Sequence, residues 1–567
     1  MSGSVTAPAA SRKVTGERVR RQRHALAVLP AALISAVVLL PILTLALIAL
    51  SGTGADWPHL MRNVLPGAIG TTLLLLVLVT FGTASIGVVS AWLVVAFDFP
   101  LRRVMSWALV LPFAVPPYLA AYAFAEFFGF TGPVQELLRD LFGWTSARDY
   151  WFPDIRSTGG AALVLSAVLF PYVYLTTRVV FLMQGRNIAD VARTLGARPF
   201  TVLRRVLLPV AKPAIAAGVA LVLMETLNDI GAAEYLGVRT LTFSVYSTWL
   251  NRGSLEGAAQ IAMLMLILVF ALLFAEQWAR RKQRFHAGRG SQMKVRPPRV
   301  HLTGWRAALA LGAVSLPVAA GFGIPVLVFG QYAARRIDRL LDASLGAAFL
   351  NSIITATATA AITIVAALLI TYATRLARTG NVRLMARLAT LGYALPGTIL
   401  GLGLLFALAW IDNGVDALAR THLGISTGLL LSGSLAAVVL ACSIRFLALA
   451  EGSIRSGLEK LPPHLDEAAR SLGKTPAGSA TAVLLPLLGP AIFAAAVLVF
   501  VDTIKELSAT ILLRPFGFNT LATHVYENAS RGVVEDGAVA ALVIIATSMV
   551  PVILLSRALI GDREASL

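Results

Sequence analysis

The chain has 567 residues, of which 57% are hydrophobic and only 14% charged, and it carries a formal net charge of +19. Soluble domains carry about 25% charged residues, so this composition excludes a soluble enzyme or a string of globular modules, and with them disordered and collagen-like chains; one cysteine, Cys442, excludes an intrachain disulfide framework. The basic excess does not point to nucleic acid, because Lys and Arg stand in short groups between apolar runs, as membrane proteins place positive charge on the cytoplasmic side.

In chain order, residues 1–24 form a polar, basic tail with Arg12, Lys13, Arg18, Arg20, Arg21 and Arg23. The apolar run from Ala25 to Leu50 is too long for a signal-peptide core and lacks an A-x-A cleavage site, so it is read as a retained span. Further runs occupy roughly 66–97, 104–128, 159–184, 207–230 and 255–279. A basic linker covers 280–305. A second set of runs lies at roughly 306–330, 348–374, 385–410, 426–450, 482–504 and 537–560, followed by a short tail, 561–567. Each run is long enough to cross about 30 Å of hydrocarbon as a helix. The expectation is an all-α polytopic membrane protein of about twelve transmembrane helices. Lys and Arg concentrate on the side of the N-terminal tail and the linker, so both termini and residues 280–305 are expected in the cytoplasm. An outer loop with Arg335, Arg336 and Arg339 runs against that rule. Trp57, Trp144, Trp151 and Trp410, near span ends, read as interface anchors.

The chain repeats itself. Asp190-Val191-Ala192-Arg193-Thr194-Leu195-Gly196 aligns with Glu467-Ala468-Ala469-Arg470-Ser471-Leu472-Gly473, and the same spacing aligns Leu208-Pro209 with Leu485-Pro486, Glu225-Thr226 with Asp502-Thr503, and Asp229 with Glu506. After a small insertion Val245-Tyr246 meets Val525-Tyr526, and upstream Ala114 and Pro116 meet Ala394 and Pro396. Six spans separate equivalent points. That even number gives both repeats, 25–279 and 306–560, the same topology, so they are parallel repeats that would flank a translocation path.

The duplicated segment reads E/D-x-A-x3-G-x9-hydrophobic-x-L-P, from Asp190 and Ala192 through Gly196 to Pro209, and from Glu467, Ala468 and Ala469 through Gly473 to Pro486. An acidic residue opening an Ala-rich stretch favours a short helix, and the glycine permits a turn that a side chain would obstruct. This segment resembles the cytoplasmic EAA loop of bacterial ATP-binding-cassette (ABC) importer permeases, the first copy departing from it at Asp190 and Val191. In that family the loop docks the ATPase subunit. Gly473-Lys474-Thr475 imitates the end of a phosphate-binding P-loop, but that motif needs a glycine at position 468, which is alanine.

Over approximately residues 60–560 the chain resembles the fused, twelve-span permease of ferric-iron ABC importers. The resemblance rests on Trp151-Phe152-Pro153-Asp154-Ile155-Arg156-Ser157, Pro171-Tyr172-Val173-Tyr174-Leu175, Glu225-Thr226-Leu227-Asn228-Asp229-Ile230-Gly231 and Lys505-Glu506-Leu507-Ser508-Ala509-Thr510-Ile511-Leu512-Leu513-Arg514-Pro515. Thiamine, polyamine and sulfate permeases share the architecture. The resemblance implies a type I ABC importer permease fold in the inner membrane, two copies of a separate ATPase subunit at 186–209 and 463–486, and a periplasmic ferric-iron-binding protein at the outer loops 129–158, 231–254 and 507–536. It implies no enzymatic activity and no cofactor on this chain, ATP and Mg²⁺ belonging to the partner ATPase. An ion-coupled secondary transporter would also have repeated halves, but would not need matched cytoplasmic loops.

Charges inside spans are costly and mark functional sites. Glu225 and Asp229, spaced i,i+4, recur as Asp502 and Glu506, and Glu126 lies near the outer end of the third span with Tyr118 and Tyr122 on related turns. Ferric iron is a hard cation that prefers oxygen donors, so Glu126, Glu225, Asp229, Asp502 and Glu506 are the candidate path residues; Lys505 and Asn228 offer them structural partners instead. The seven histidines make no metal-ligand spacing with one another.

Overall fold

The computed structural model describes residues 9–52, 54, 56–194, 198–281, 299–377, 379–462 and 464–564. Among them, ten helices are long and apolar enough to cross a membrane, or twelve when each of two sharply bent helix pairs is counted as one span. The only strands among the described residues are Phe97–Asp98 and Val300–His301, two residues each, paired in parallel.

The long helices follow from uninterrupted apolar sequence. Leu65–Ala96, for example, is a 32-residue helix, about 48 Å at 1.5 Å per residue. Leu73, Leu74, Val77 and Phe81 on it are exposed, Phe81 to 75%. A water-facing helix would not carry such a row, but one side of a lipid-facing helix does.

Proline explains the irregularities. Four π-helical turns, Leu60–Val64, Leu203–Leu207, Ala319–Gly323 and Ala480–Leu484, occur among the described residues. Each ends two residues before a proline: Pro66, Pro209, Pro325 and Pro486. Proline cannot donate a helical hydrogen bond and its ring crowds the carbonyl four residues back; a wider turn relieves that clash without ending the helix. The Leu-Pro that closes the duplicated motif is therefore the mark of a π-bulge at the start of a span. Where prolines come closer together the span breaks. Arg102–Ala114 and Pro117–Phe142 meet at 98°, around Pro112, Pro116 and Pro117.

The chain divides into two compact units that cross the sequence repeat. One contains Met1–Thr44, Ser352–Leu395 and Ile399–Phe516; the other contains Leu45–Asn351, Pro396–Thr398 and Gly517–Leu567. The first span therefore packs with second-repeat helices, and the seventh, Gly304–Arg335, with first-repeat helices. In the first-named unit Ala31 shares a small core with Ala373, Ala377 and Val382, and the Ser35 hydroxyl donates to the Met385 carbonyl at 2.6 Å. In the other, Ala307, Ala310 and Val314 join a core built on Phe170, Tyr174 and Phe181. Glycines bring its helices together. A Cβ on Gly87 would lie 2.8 Å from Val173 Cβ, and one on Gly218 would lie 2.8 Å from Val173 Cα. Two helices thus press on the same stretch of Thr158–Thr194, the close approach that small residues permit in membranes.

Candidate coupling loops and translocation path

The two copies of the duplicated loop differ in their entry. Leu435–Glu459 stops just ahead of Pro462-Pro463, because a residue preceding proline is pushed out of the helical region. A separate helix, Leu465–Ser471, then carries Glu467, Ala468 and Ala469. The first copy has Gly185-Arg186 in place of the two prolines. Its helix, Thr158–Thr194, runs on unbroken, so Asp190 and Ala192 sit in its last two turns rather than opening a short helix. The side chains of Asp190, Ala192 and Glu467, and the whole of Gly196, lie outside the described residues.

Past the helix the second copy turns at Gly473, whose φ is +80°, a left-handed conformation that favours glycine. The Lys474 N–H donates to the Ala469 carbonyl at 3.1 Å, closing the helix as a Schellman turn does. Ala469 is buried, while Ala468, Gly473 and Pro486 are exposed. Pro476–Ser479 and the π-turn Ala480–Leu484 follow, matched in the first copy by Pro199–Val202 and Leu203–Leu207, with Pro209 exposed.

The recurring carboxylates mark chain breaks. The span Leu208–Asn228 ends one residue before Asp229, and Gly489–Ile504 ends two before Glu506. Neither pair therefore occupies one continuous helical face, as i,i+4 spacing suggested. Asp229 Oδ1 accepts from the Ala232 N–H at 2.7 Å, at the start of the short helix Gly231–Tyr235. Glu506 Oε1 accepts from the repeat-equivalent Ala509 N–H at 2.9 Å, ahead of Thr510–Leu513. The acid recurs because backbone N–H groups exposed by the break need an acceptor. Glu506 goes further: it also accepts from the Thr510 N–H and hydroxyl at 3.0 and 2.6 Å and pairs with Arg445 at 2.7 Å, its side chain only 1% exposed. Asp502 pairs with Lys505 at 2.8 Å. Glu225 is half-buried on its span, as is Asp229 at its end.

Glu126 stands in a different setting. On the helix Pro117–Phe128 it follows Tyr118 and Tyr122 at four-residue steps along one face. Its carboxylate accepts from the Tyr332 hydroxyl at 2.7 Å and the Tyr235 hydroxyl at 3.5 Å. The Tyr122 ring touches that of Tyr235, centroids 4.5 Å apart, and that of Tyr118 at 5.9 Å. Beside Tyr235, Glu234 accepts from the Tyr526 hydroxyl at 2.7 Å. Burial raises the Glu234 carboxyl above the ordinary value, the Tyr526 bond opposing it. The Arg156 guanidinium lies 5.0 Å over the Tyr235 ring.

Sequence reasoning passed over Glu234, Tyr235, Tyr332, Tyr526 and Arg445. Arg445 was legible as a charge within a span. Tyr526 was legible through its repeat mate Tyr246. Tyr332 carried no such signal. Two of the arginines expected in an outer loop against the charge rule are paired: Arg336 with Glu535 at 3.3 Å, and Arg339 with Asp536 at 3.0 Å and Asp342 at 3.3 Å. Trp151 and Trp410 are 86% and 79% exposed and suit interface anchors. Trp144 instead stacks between Phe142 and Tyr150, both at 4.7 Å.

The family described as binding-protein-dependent transport system inner membrane component matches residues 83–284 and 382–563. The Fe(3+)-transport system permease protein FbpB 2 of Haemophilus influenzae is 25% identical over 503 residues, covering 88% of this chain and 91% of that protein. The molybdenum transport system permease protein ModB of Escherichia coli is 29% identical over 36% of this chain and 88% of its own length. The E. coli sulfate transport system permease protein CysW is 31% identical over 32% of this chain and 63% of its own. With two family domains on one all-helical, multi-pass chain, the protein belongs to the binding-protein-dependent transport system inner membrane components, as a fused two-repeat permease subunit of an ABC importer that works with an ATPase and a binding protein.

Proposed function

We propose that this permease passes ferric iron from a periplasmic binding protein to the cytoplasm by alternating access. The similarity over nearly its whole length to a fused ferric-iron permease carries the reading. The site chemistry supports it against the other relatives' cargo. Molybdate and sulfate are dianions, and the carboxylates of Glu126 and Glu225, with Asp229 and Glu234 just past the end of a span, would repel them, whereas a hard cation gains from the same oxygens.

Two ATPase subunits dock at 186–209 and 463–486, one per copy of the loop. When ATP, bound with Mg²⁺ on those subunits, closes them on each other, the loops are drawn together. Each loop is joined to its span through a π-bulge and proline, so its movement tilts the span as a rigid rod. Both termini and the 280–305 linker face the cytoplasm. Selectivity rests with the binding protein, so the permease needs only a passing contact. Among the candidate path residues, Glu126, Glu225 and Asp229 serve the cargo, while Glu506 and Asp502, held by Arg445 and Lys505, serve the fold.

Proteoliposomes holding the permease with its ATPase, supplied with iron-loaded binding protein, test this. ATP-dependent accumulation of radioactive iron is expected. Uptake driven by an ion gradient without ATP, or uptake of molybdate or sulfate in place of iron, refutes it.

A further inference from the structure

We propose that the groove between the turn at 98–101 and the start of the helix Gly304–Val318 binds a membrane phospholipid with an anionic headgroup. The site is independent of the cargo.

The groove follows from how the linker enters the second repeat. Val300–His301, near the end of the linker, pairs in parallel with Phe97–Asp98, and the Leu302 N–H donates to the Asp98 carbonyl at 2.9 Å. This pairing lays the linker against the turn that follows Leu65–Ala96. The helix Gly304–Val318 then starts beside the same turn. Its Gly304, Ala307, Ala308 and Leu311 stand at i, i+3, i+4 and i+7, one helical face, and being small or aliphatic they leave room. With Phe99 and Pro100 across from them they line a cavity of about 620 Å³, within the roughly 300–1,000 Å³ of small-molecule sites.

Two observations name the occupant. The first is continuity with the lipid-facing surface. Trp305, Leu309 and Leu316 form an exposed row on the groove's own helix, and Leu101 and Val104 are exposed beyond the turn. Rows of this kind on a membrane span face acyl chains, so the groove lies at the edge of the lipid surface, close to the end of a span where headgroups sit.

The second is charge. Asp98 is the acid among the lining residues, and it is already engaged by Arg102 Nε at 3.2 Å and His301 Nδ1 at 3.5 Å. Arg103 past the turn and Arg306 in the first turn of the helix are exposed. The Arg306 guanidinium lies 5.6 Å over the Trp305 ring, at the level where aromatic residues meet headgroups. The Thr303 hydroxyl makes no cap bond to the helix it precedes, so it too is available to a phosphate oxygen. The surplus charge offered to an occupant is therefore positive, as in the basic pockets between membrane helices that hold anionic headgroups. The rest of the linker, with Lys282, Arg284, Arg289, Lys294 and Arg296, carries the same sign and would be repelled. A lipid seated here bridges the turn and the seventh span, steadying the point where the fused repeats are joined.

The purified full-length permease, stripped of lipid in detergent, is titrated with dioleoyl phosphatidylglycerol or dioleoyl phosphatidylcholine, and bound lipid is counted by native mass spectrometry. One tightly retained phosphatidylglycerol is expected, favoured over phosphatidylcholine by about fivefold for each arginine engaged. Arg103→Gln/Arg306→Gln should erase that preference while melting temperature and ATPase co-purification stay unchanged. Ala308→Trp, which fills the groove without touching a charge, should abolish the retained lipid. Glycerol 3-phosphate, which has the phosphate but no acyl chains, should not displace it. Equal retention of the two lipids by the unaltered protein overturns the proposal. So does full preference in the double-arginine variant, or unchanged lipid in a folded Ala308→Trp. Displacement by glycerol 3-phosphate overturns it as well, because the ligand would then be a soluble anion. Should Ala308→Trp fail to fold, the double-arginine variant decides alone.

Discussion

Replacing Glu506 by Gln should damage the protein before it damages transport. The carboxylate collects four hydrogen bonds, from Arg445, the Ala509 N–H, and the Thr510 N–H and hydroxyl, and is almost wholly buried. Glutamine keeps the shape but removes the charge, and turns an NH₂ toward groups that are all donors. Breaking one side of a buried ion pair costs about 3–5 kcal/mol, a large part of the roughly 5–15 kcal/mol that holds a typical fold. Arg445→Met should cost a similar amount, about 3–5 kcal/mol, because it leaves the more deeply buried Glu506 carboxylate without its cation, held by three neutral donors. Asp229→Asn should cost almost nothing in stability: asparagine caps an N-terminus as well as aspartate, and the site is half-buried. The assay is membrane abundance, together with thermal melting of detergent-extracted protein, for the three variants in parallel. The reasoning fails if Glu506→Gln accumulates and melts like the parent while iron uptake collapses, since the carboxylate would then be a transport residue.

Three further outcomes follow from the coupling loops and the topology. Nothing lies within 4 Å of a Cβ placed on Gly473, so its only demand is backbone: Gly473→Val should cost about 1–2 kcal/mol through the left-handed conformation and weaken ATPase co-purification, whereas Gly473→Asn should be tolerated. Equal ATPase retention by Gly473→Val and Gly473→Asn would contradict this. The double variant Gly196→Val/Gly473→Val should insert in the membrane but transport poorly, and unchanged uptake removes the coupling role. A cysteine placed at Ser291 should resist impermeant thiol reagents in intact cells; efficient labelling reverses the orientation.

The fold was legible because a bilayer admits few solutions. Apolar length fixes spans, and the duplicated loop fixes where the repeat begins again. What sequence could not yield is pairing across distance. Nothing local says that Tyr332 reaches Glu126, 206 positions away. Spacing misled at Asp229 and Glu506, because i,i+4 implies one helical face only while the helix continues, and both spans stop short. Conversely, the arginines that broke the charge rule were legible once their partners were seen: Glu535 and Asp536 cancel Arg336 and Arg339, and a positive-inside count takes little notice of acids.

The two repeats inherited one scaffold and have diverged in what they do with its breaks. In both, an acid just past the span accepts the N–H three residues on. In the second repeat that acid is locked by Arg445, and its neighbours Ile511 and Leu512 are apolar. Such a break is rigid, because opening it would strand a buried charge. In the first repeat the position equivalent to Arg445 is Val168, and the break is bordered by Glu234 and Tyr235. There Asp229 keeps the Ala232 N–H while Glu234 beside it accepts only from the Tyr526 phenol, a bond that water can replace at far lower cost than an ion pair. The carboxylates repeat in position because each break leaves backbone N–H groups that need an acceptor, and their partners differ because only the second break faces an arginine from a neighbouring span.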